Sequence, residues 1–350
     1  MRLFRSQLRC PPALVGLLTR QLAALVEGGV PLARALDSLA EYAEDNDLRQ
    51  ALEEVLIKVE QGHAFSRSLA DFPGVFPSTY VAMVSAGEQT GQLNQVLDNL
   101  ATWLERDEAV ARQVRKAMVY PSVVLSLAIG MLAVLFWTII PGMLETVQSL
   151  GGELPLPTIL LAKFSACLNQ PILLVMGPLS LLPVMAYLRT PGGKADLYLR
   201  LRAVPGLGPV LLYGSASRYA AALGMLLDSG NNLMSATRIA AEASGNPILR
   251  DDCRRLSDGL EQGQTLSDLW AGRVPDYPLP LIHMMRAGEE ASEVVAVLRK
   301  NSEMMAEEAG YRLERMTAML EPALLGAVAV VIGFIVVALL MPLANVVGNL

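Results

Sequence analysis

The side chains in this sequence that are able to act as acids, bases, nucleophiles or metal ligands are few and scattered. Two histidines occur, His63 and His283, with three cysteines, Cys10, Cys167 and Cys253, none in a CxxC pair. His63 stands beside Gly62 in a loop, and His283 lies in the apolar stretch Leu281–Met285, where packing is its expected role. A zinc site needs His or Cys ligands at fixed short spacing, and a disulfide framework needs a clustered, even set. Neither pattern is present. Gly192-Gly193-Lys194-Ala195 approaches a phosphate loop but lacks the GxxxxGK[ST] spacing and the hydroxyl that holds Mg²⁺. Gly206-Leu207-Gly208-Pro209 lacks the third glycine and the preceding strand of a dinucleotide site. With no nucleophile–base pair, the sequence predicts a protein that is not an enzyme, with no catalytic residues, no metal and no cofactor.

One polar feature is better defined, because it occurs twice: Gly87-Glu88 and Gly288-Glu289. The glycine can end a short helix. The glutamate, near the start of the next, can accept backbone N–H groups and oppose the positive end of the helix dipole. A contact with a partner is the second reading of the same carboxylate, compatible with the first. The sixteen methionines fall at helical spacing and read as core filling. The acidic run Glu41, Glu44, Asp45, Asp47 reads as a solvated face.

The repeated pair belongs to a longer repeat. Shifting the chain by 201 residues aligns two stretches of about 125 residues without a gap. Glu60-Gln61-Gly62 falls on Glu261-Gln262-Gly263, Pro77 on Pro278 and Gly29 on Gly230. Pro121 falls on Pro322 and Pro141 on Pro342. In the first copy, apolar residues at helical spacing from Leu14 to Val26 stop at Gly28-Gly29, and Pro31 opens the next helix. Helices are expected over 31–44 and 47–61, over 66–71 with Ser66 as its cap, and over 78–86 ending at Gly87. A long helix is expected over 91–116. Each copy is therefore predicted to be a six-helix antiparallel bundle.

These elements must be placed against a membrane. Only 18% of the 350 residues are charged, against roughly 25% in soluble domains, and the mean hydropathy is +0.39. Three runs lack Asp, Glu, Lys and Arg altogether: Ala117–Leu144, Phe164–Leu188 and Pro322–Leu350. About 20 helical residues cross a hydrocarbon core of ~30 Å, so all three are long enough. Pro171, Pro178 and Pro183 predict a kink in the middle one. Twelve basic residues lie in 1–116 and fifteen in 189–321, one lies in 145–163 and none follows Glu321. Lys and Arg stay on the cytoplasmic side, so the N-terminus is predicted to be cytoplasmic and the C-terminus periplasmic. Met1–Arg9 is basic and is followed by Pro11-Pro12, so span one is expected to serve as an uncleaved insertion signal. Ion and proton pathways need intramembrane ionisable groups, which counts against the alternative of a small-molecule transporter or channel. The net charge of −6 argues against a dedicated nucleic-acid binder.

The predicted fold class is all-α: a polytopic membrane protein with two homologous cytoplasmic six-helix bundle domains and three transmembrane helices. The expected order is a leader (1–13), bundle copy 1 (14–116), span one (117–144), a short periplasmic loop (145–163) and a kinked span two (164–188). A cytoplasmic linker (189–214), bundle copy 2 (215–321), span three (322–343) and a periplasmic tail (344–350) follow.

The sequence resembles the type II secretion system F family, the inner-membrane platform proteins of type II secretion and type IV pilus machines. Thr19-Arg20-Gln21-Leu22-Ala23, Gly29-Val30-Pro31-Leu32, Ala35-Leu36, Phe76-Pro77 and Ala86-Gly87-Glu88-Gln89-Thr90-Gly91-Gln92-Leu93 carry the likeness, with Val96-Leu97 and Tyr120-Pro121. In the second copy Leu226, Gly230, Leu233, Gly263, Pro278, Gly288-Glu289 and Pro322 match. The resemblance singles out Gly29, Pro31, Pro77, Gly87, Glu88, Gly91, Pro121, Gly230, Gly263, Pro278, Gly288, Glu289 and Pro322 as motif and interaction candidates. It implies a bacterial inner-membrane protein that couples a cytoplasmic hexameric ATPase to assembly of pilin or pseudopilin subunits. Its implied partners are that ATPase, the pilin-like subunits, other inner-membrane assembly proteins, the lipid bilayer and further copies of itself, with no nucleic acid. Copy 2 departs in having Asn231-Asn232 where Val30-Pro31 stand, and Ser292 where Gly91 stands, which implies drift toward a different partner. Some relatives hold calcium between acidic positions of the first bundle. Glu44 and Asp98 match two of them, but Thr102 replaces the third carboxylate and no metal is expected.

Overall fold

The computed structural model describes residues 8–142, 190–274 and 276–348, with isolated positions at 158, 159, 163, 165 and 187; among these, all regular structure is helical. The chain divides into two compact units. One comprises the chain up to Gln113 with Leu201–Arg312; the other comprises Val114–Arg200 and the chain from Leu313 onward.

The first unit holds both bundle copies. Copy 1 is built from α1 (Pro12–Glu27), α2 (Leu32–Glu41), α3 (Asn46–Glu60), α4 (Phe65–Leu69), α5 (Ser78–Thr90) and the start of α6 (Leu93–Val134). A connecting helix, α7 (Pro191–Arg202), precedes copy 2. That copy is built from α8 (Leu207–Asp228), α9 (Leu233–Ala243), α10 (Pro247–Glu261), α11 (Leu266–Ala271), α12 (Leu279–Glu290) and the start of α13 (Val294–Gly348). Six helices per copy match the expected bundles.

Local sequence sets the helix ends. Pro31 precedes α2 and Pro77 precedes α5, each fixing an extended entry, as Pro278 does for α12. Asp45, part of the acidic run, accepts the Leu48 N–H at 2.9 Å and caps α3. Asn232 replaces Pro31 by a different device, its side chain accepting the Ser235 N–H at 2.7 Å to cap α9. Gly29, Gly230 and Gly263 lie just past helix ends at φ of +79°, +85° and +80°.

Three expectations are corrected. Ser66 is not a cap; Ala64 precedes α4, and Ser66 lies within the helix. The helix at 78 does not stop at Gly87 but runs to Thr90, with Gly91 as its left-handed cap at φ +71°. Gly87 stays helical because its missing Cβ lets α6 approach: a Cβ there would lie 3.0 Å from Val96 Cβ. Gly288 has the same role, its Cβ position falling 2.9 Å from Val297 Cβ. His283 is exposed rather than packed, because the apolar residues that enter the core around it are Leu281, Ile282 and Met285.

In the second unit, α6 continues as one helix through Pro121 to a π-helical turn at Leu135–Ile139, and α13 runs through Pro322. Phe136 and Ile140 pack with Ile335 and Ala338. A π turn departs from the ordinary helical hydrogen-bond pattern, and the Ser165 hydroxyl donates to the Phe136 carbonyl at 3.1 Å. Thr158 donates similarly to the Ala338 carbonyl at 2.6 Å. Tyr120 donates to Glu321 at 2.9 Å across the mouths of the two helices. Large side chains such as Leu127, Ile129, Val330 and Val337 face outward, the arrangement a lipid surroundings requires.

Three described helical segments are long and apolar enough to cross a membrane: Leu93–Gly142, α8 and Val294–Ala338. The first and third contain expected spans one and three. In α8 the apolar residues are core, with Tyr219, Leu223 and Leu226 buried in the copy 2 bundle. The expected loop 145–163 and span 164–188 lie outside the described residues, apart from the isolated positions named above.

Ser292 occupies the Gly91 position in copy 2 at φ +58°, the one non-glycine residue with positive φ among the described residues. A left-handed L-residue costs roughly 1 kcal/mol, which the greater unfolded-state freedom of glycine partly offsets. Ser292→Gly should therefore stabilise the protein by about 0.5–1 kcal/mol, raising Tm by roughly 1–4 °C. Thermal unfolding of the detergent-solubilised chain tests this, and a lowered Tm would refute it.

Candidate partner interface

The repeated glutamates are built into the bundles by an unexpected route. Glu88 lies near the end of α5, yet its carboxylate reaches back to the start of α4. It accepts the Phe65 N–H at 2.6 Å and the Ser66 N–H at 3.0 Å, and also the Ser66 hydroxyl. Glu289 repeats the contact in copy 2, accepting the Leu266 N–H at 2.7 Å and the Ser267 N–H at 3.3 Å. The clasp thus closes on the preceding short helix, not the following one. A five-residue helix has a high share of unsatisfied N–H groups, so an ionised acceptor there matters more than in a long helix. Sequence spacing could suggest a helix-terminus role, but not which terminus, because the turn at Phe72–Pro77 brings α4 alongside α5.

The two cores have diverged. Copy 1 buries Leu18, Ala51, Leu69, Phe72 and Phe76; copy 2 carries Tyr219, Asp252, Trp270, Arg273 and Tyr277 at the repeat-equivalent positions. Trp270 stacks on Tyr277 with centroids 5.5 Å apart and meets Tyr219 edge-on at 5.8 Å. Asp252 is buried, and its carboxylate accepts from Arg255 at 2.6 Å, Arg273 at 2.9 Å and the Tyr277 hydroxyl at 2.9 Å. Burial opposes its ionisation, but these donors win and hold its pKa below the ordinary aspartate value. In copy 1 the buried polar pair is Thr19 with Tyr80, at 3.1 Å. Burial pushes the Tyr80 hydroxyl up to about 12, the Thr19 contact opposing the shift.

On the copy 1 surface Arg20 organises α1 against α6. It binds Glu105 through two contacts of 2.7 and 2.9 Å, Thr102 at 3.0 Å, and Asp98. Asp98 and Thr102 are thus gathered around a guanidinium, and among the described residues no cluster of three His, Cys, Asp or Glu could hold a metal ion.

The copies meet where α5 crosses α9 and α8. Ser78 donates to Glu242 at 2.7 Å, and Arg106 pairs with Glu303 at 3.3 Å. A cleft of about 470 Å³ opens between α6, α8 and α13, lined by Trp103, Arg106, Asp107, Arg218, Arg299 and Glu303 among others. Burial in it raises the Asp107 carboxyl above its ordinary pKa, against the pull of Arg218. Among the described residues these surfaces place no nucleophile beside a base.

Comparison with known proteins gives the family. The model of the family "Type II secretion system (T2SS), protein F" matches residues 18–141 and again 219–342, offset by the same 201 residues as the repeat. The chain belongs to the type II secretion system protein F family. It is 31% identical to the type IV pilus assembly protein PilC of Thermus thermophilus over 96% of this chain and 83% of that protein. It is 29% identical to PilC of Myxococcus xanthus over 94% of this chain and 79% of that one. It is also 29% identical to type II secretion system protein F of Vibrio cholerae, over 94% and 81%. Against this family frame, the structure gathers Gly87, Glu88 and Gly91 into one corner of copy 1, and Gly288 and Glu289 into the matching corner of copy 2. Gly29, Pro31, Pro77, Gly230, Gly263 and Pro278 occupy separate helix junctions, and Pro121 and Pro322 lie within the long helices.

Two predictions rest on these carboxylates. Charge-assisted hydrogen bonds contribute about 1.5–3 kcal/mol, so Glu88→Ala should destabilise the protein by about 2–3 kcal/mol and Glu88→Gln by roughly half that. Unchanged thermal stability of the alanine variant would leave Glu88 as a contact residue only. Because the folded pKa of Asp252 is lowered, its contribution is present above the unfolded value of about 3.9 and lost as pH falls through the folded pKa. Asp252→Asn should cost about 2–3 kcal/mol at pH 7. The gap between the two proteins should narrow below about pH 4, as a Tm-against-pH series would reveal.

Proposed function

We propose that this chain is a non-catalytic inner-membrane platform that couples a cytoplasmic secretion or pilus ATPase to assembly of pilin or pseudopilin subunits. Family membership supports the platform role, and one structural observation carries the coupling: α6 and α13 each run without a break from a bundle into an apolar span. A continuous helix transmits displacement along its axis, whereas a loop would absorb it. The clasped α4–α5 corners make the bundles stiff bodies at the ends of these helices. The bundles face the ATPase and assembly proteins, and the spans face pilin-like helices. The distribution of basic residues supports a cytoplasmic N-terminus and a periplasmic C-terminus.

Crosslinking the full-length protein in its native membrane and identifying co-purifying proteins tests the partnership; a secretion-type ATPase and pilin-like subunits are the expected recoveries. Recovery of the protein alone, or with a solute-binding protein, would favour transport instead. The coupling itself is tested by inserting Gly-Ser-Gly-Ser after Arg115 in α6. Membrane insertion and folding should persist while pilus assembly or secretion falls at least tenfold. Retained assembly would mean that α6 is a tether rather than a lever.

A further inference from the structure

The α9–α10 pair of copy 2 carries a cluster that its repeat counterpart lacks. Arg238 on α9, with Arg250 and Arg254 on α10, lines a surface hollow of about 540 Å³ whose lining also includes Cys253 and Ser257. The 201-residue offset matches the three arginines to Asp37, Arg49 and Glu53. It matches Cys253 to Leu52, which is buried, and Ser257 to Leu56, which packs against the copy 1 core. Copy 2 thus has smaller, polar side chains where copy 1 has two leucines, and guanidinium groups where copy 1 has two carboxylates.

Within the chain this concentration of charge is unfavourable. Arg250 and Arg254 stand one turn apart on α10, and like charges at that spacing repel. Arg250 also lies in the first turn of α10, where the positive end of the helix dipole disfavours a cation. The acids nearby do not discharge the cluster. Of the two carboxylates in the lining, Glu242 accepts the Ser78 hydroxyl at 2.7 Å, and Asp251 approaches Arg250 only to 3.7 Å, outside hydrogen-bonding range. Asp258 and Glu261 lie further along α10, outside the lining. Arg238 and Arg254 have no hydrogen bond or ion pair among the described residues. In copy 1, by contrast, Arg49 spends its guanidinium on the Ala43 carbonyl, at 3.1 Å. Burial and the carboxylates of Asp252 and Glu242 push the Cys253 thiol up to about 11, and Arg238 acts against them, so its charge is felt inside the hollow.

We propose that the hollow between α9 and α10 of copy 2 binds a phosphate group, held by Arg238, Arg250 and Arg254 and by the Ser257 hydroxyl. Planar guanidinium groups present paired donors that match phosphate oxygens, and three of them suit a multiply charged group better than a single carboxylate. The Ser257 hydroxyl has no partner of its own among the described residues and adds an uncharged donor. A soluble phosphorylated compound and a phospholipid headgroup carry that group alike. The site belongs to copy 2 alone, since Asp37 and Glu53 would repel the same ligand in copy 1. It rests on the α9–α10 surface and holds or fails independently of the coupling reading.

Thiol alkylation of the full-length protein in nanodiscs tests it. Cys10 and Cys167 are replaced by serine, which leaves Cys253 as the single thiol for N-ethylmaleimide. A bound phosphate covers that thiol and disfavours its thiolate, and both effects slow the reaction. At ten times the Kd about nine sites in ten are filled, so the rate should fall by about tenfold. In one series tripolyphosphate is added to phosphatidylcholine nanodiscs at constant ionic strength; in a second the nanodiscs contain phosphatidylglycerol and no phosphate is added. Slowing in the first series identifies a soluble phosphate ligand, and slowing confined to the second identifies a lipid headgroup. The double variant Arg238→Gln/Arg254→Gln should lose the effect. So should Ser257→Leu, which refills the hollow with the copy 1 residue type while every arginine stays, and thermal unfolding checks that each variant is folded. An unchanged rate in both series would overturn the proposal. Slowing that persists in either folded variant would overturn it equally, because the anion would then be bound elsewhere.

Discussion

The structure depends on how closely α5 can lie against α6, and α12 against α13. In each copy a single glycine side, Gly87 or Gly288, admits a valine from the long helix at a distance no Cβ would allow. The next residue, a glutamate, points the other way and ties down the start of the short fourth helix. Two adjacent residues thus fix the hairpin to the long helix and the small helix to the hairpin. That same long helix continues past the bundle into the apolar unit.

Around that shared corner the copies have taken different interiors. Copy 1 fills its core with Leu69, Phe72 and Phe76, whereas copy 2 places Trp270 between Tyr219 and Tyr277 and buries a carboxylate beneath two arginines. The buried Asp252 ties α10 to the loop that follows α11, since its carboxylate accepts from Arg255, Arg273 and Tyr277 together. The surfaces diverge in parallel, with small residues on α5 and larger, charged ones on α12.

Much of this was legible in the residues. The repeat offset, six helices per copy, the continuous entry into the membrane and the left-handed glycines all follow from punctuation that has few structural meanings. The failures are local and share a cause. Gly87 has the sequence signature of a helix stop because glycine usually is one, yet here a tertiary contact with Val96 overrides propensity. Spacing points Glu88 to the following helix because it does not reveal which N-terminus folds back beside it. The apolar neighbours of His283 suggest an interior position, although helical phase turns it outward. The unlike pairing of the copies is carried by no motif, since it depends on which faces meet in three dimensions.

The hydrogen bond from Tyr120 to Glu321 joins two positions that are the same position in the repeat. Such a contact marks a local dyad. In an ancestor made of two identical half-length chains, the residues on that dyad would have been identical too: two phenols, or two carboxylates repelling across the axis. A phenol facing a carboxylate there needs two halves that differ in sequence, and a single chain carrying both copies supplies that difference at the cost of no second gene product.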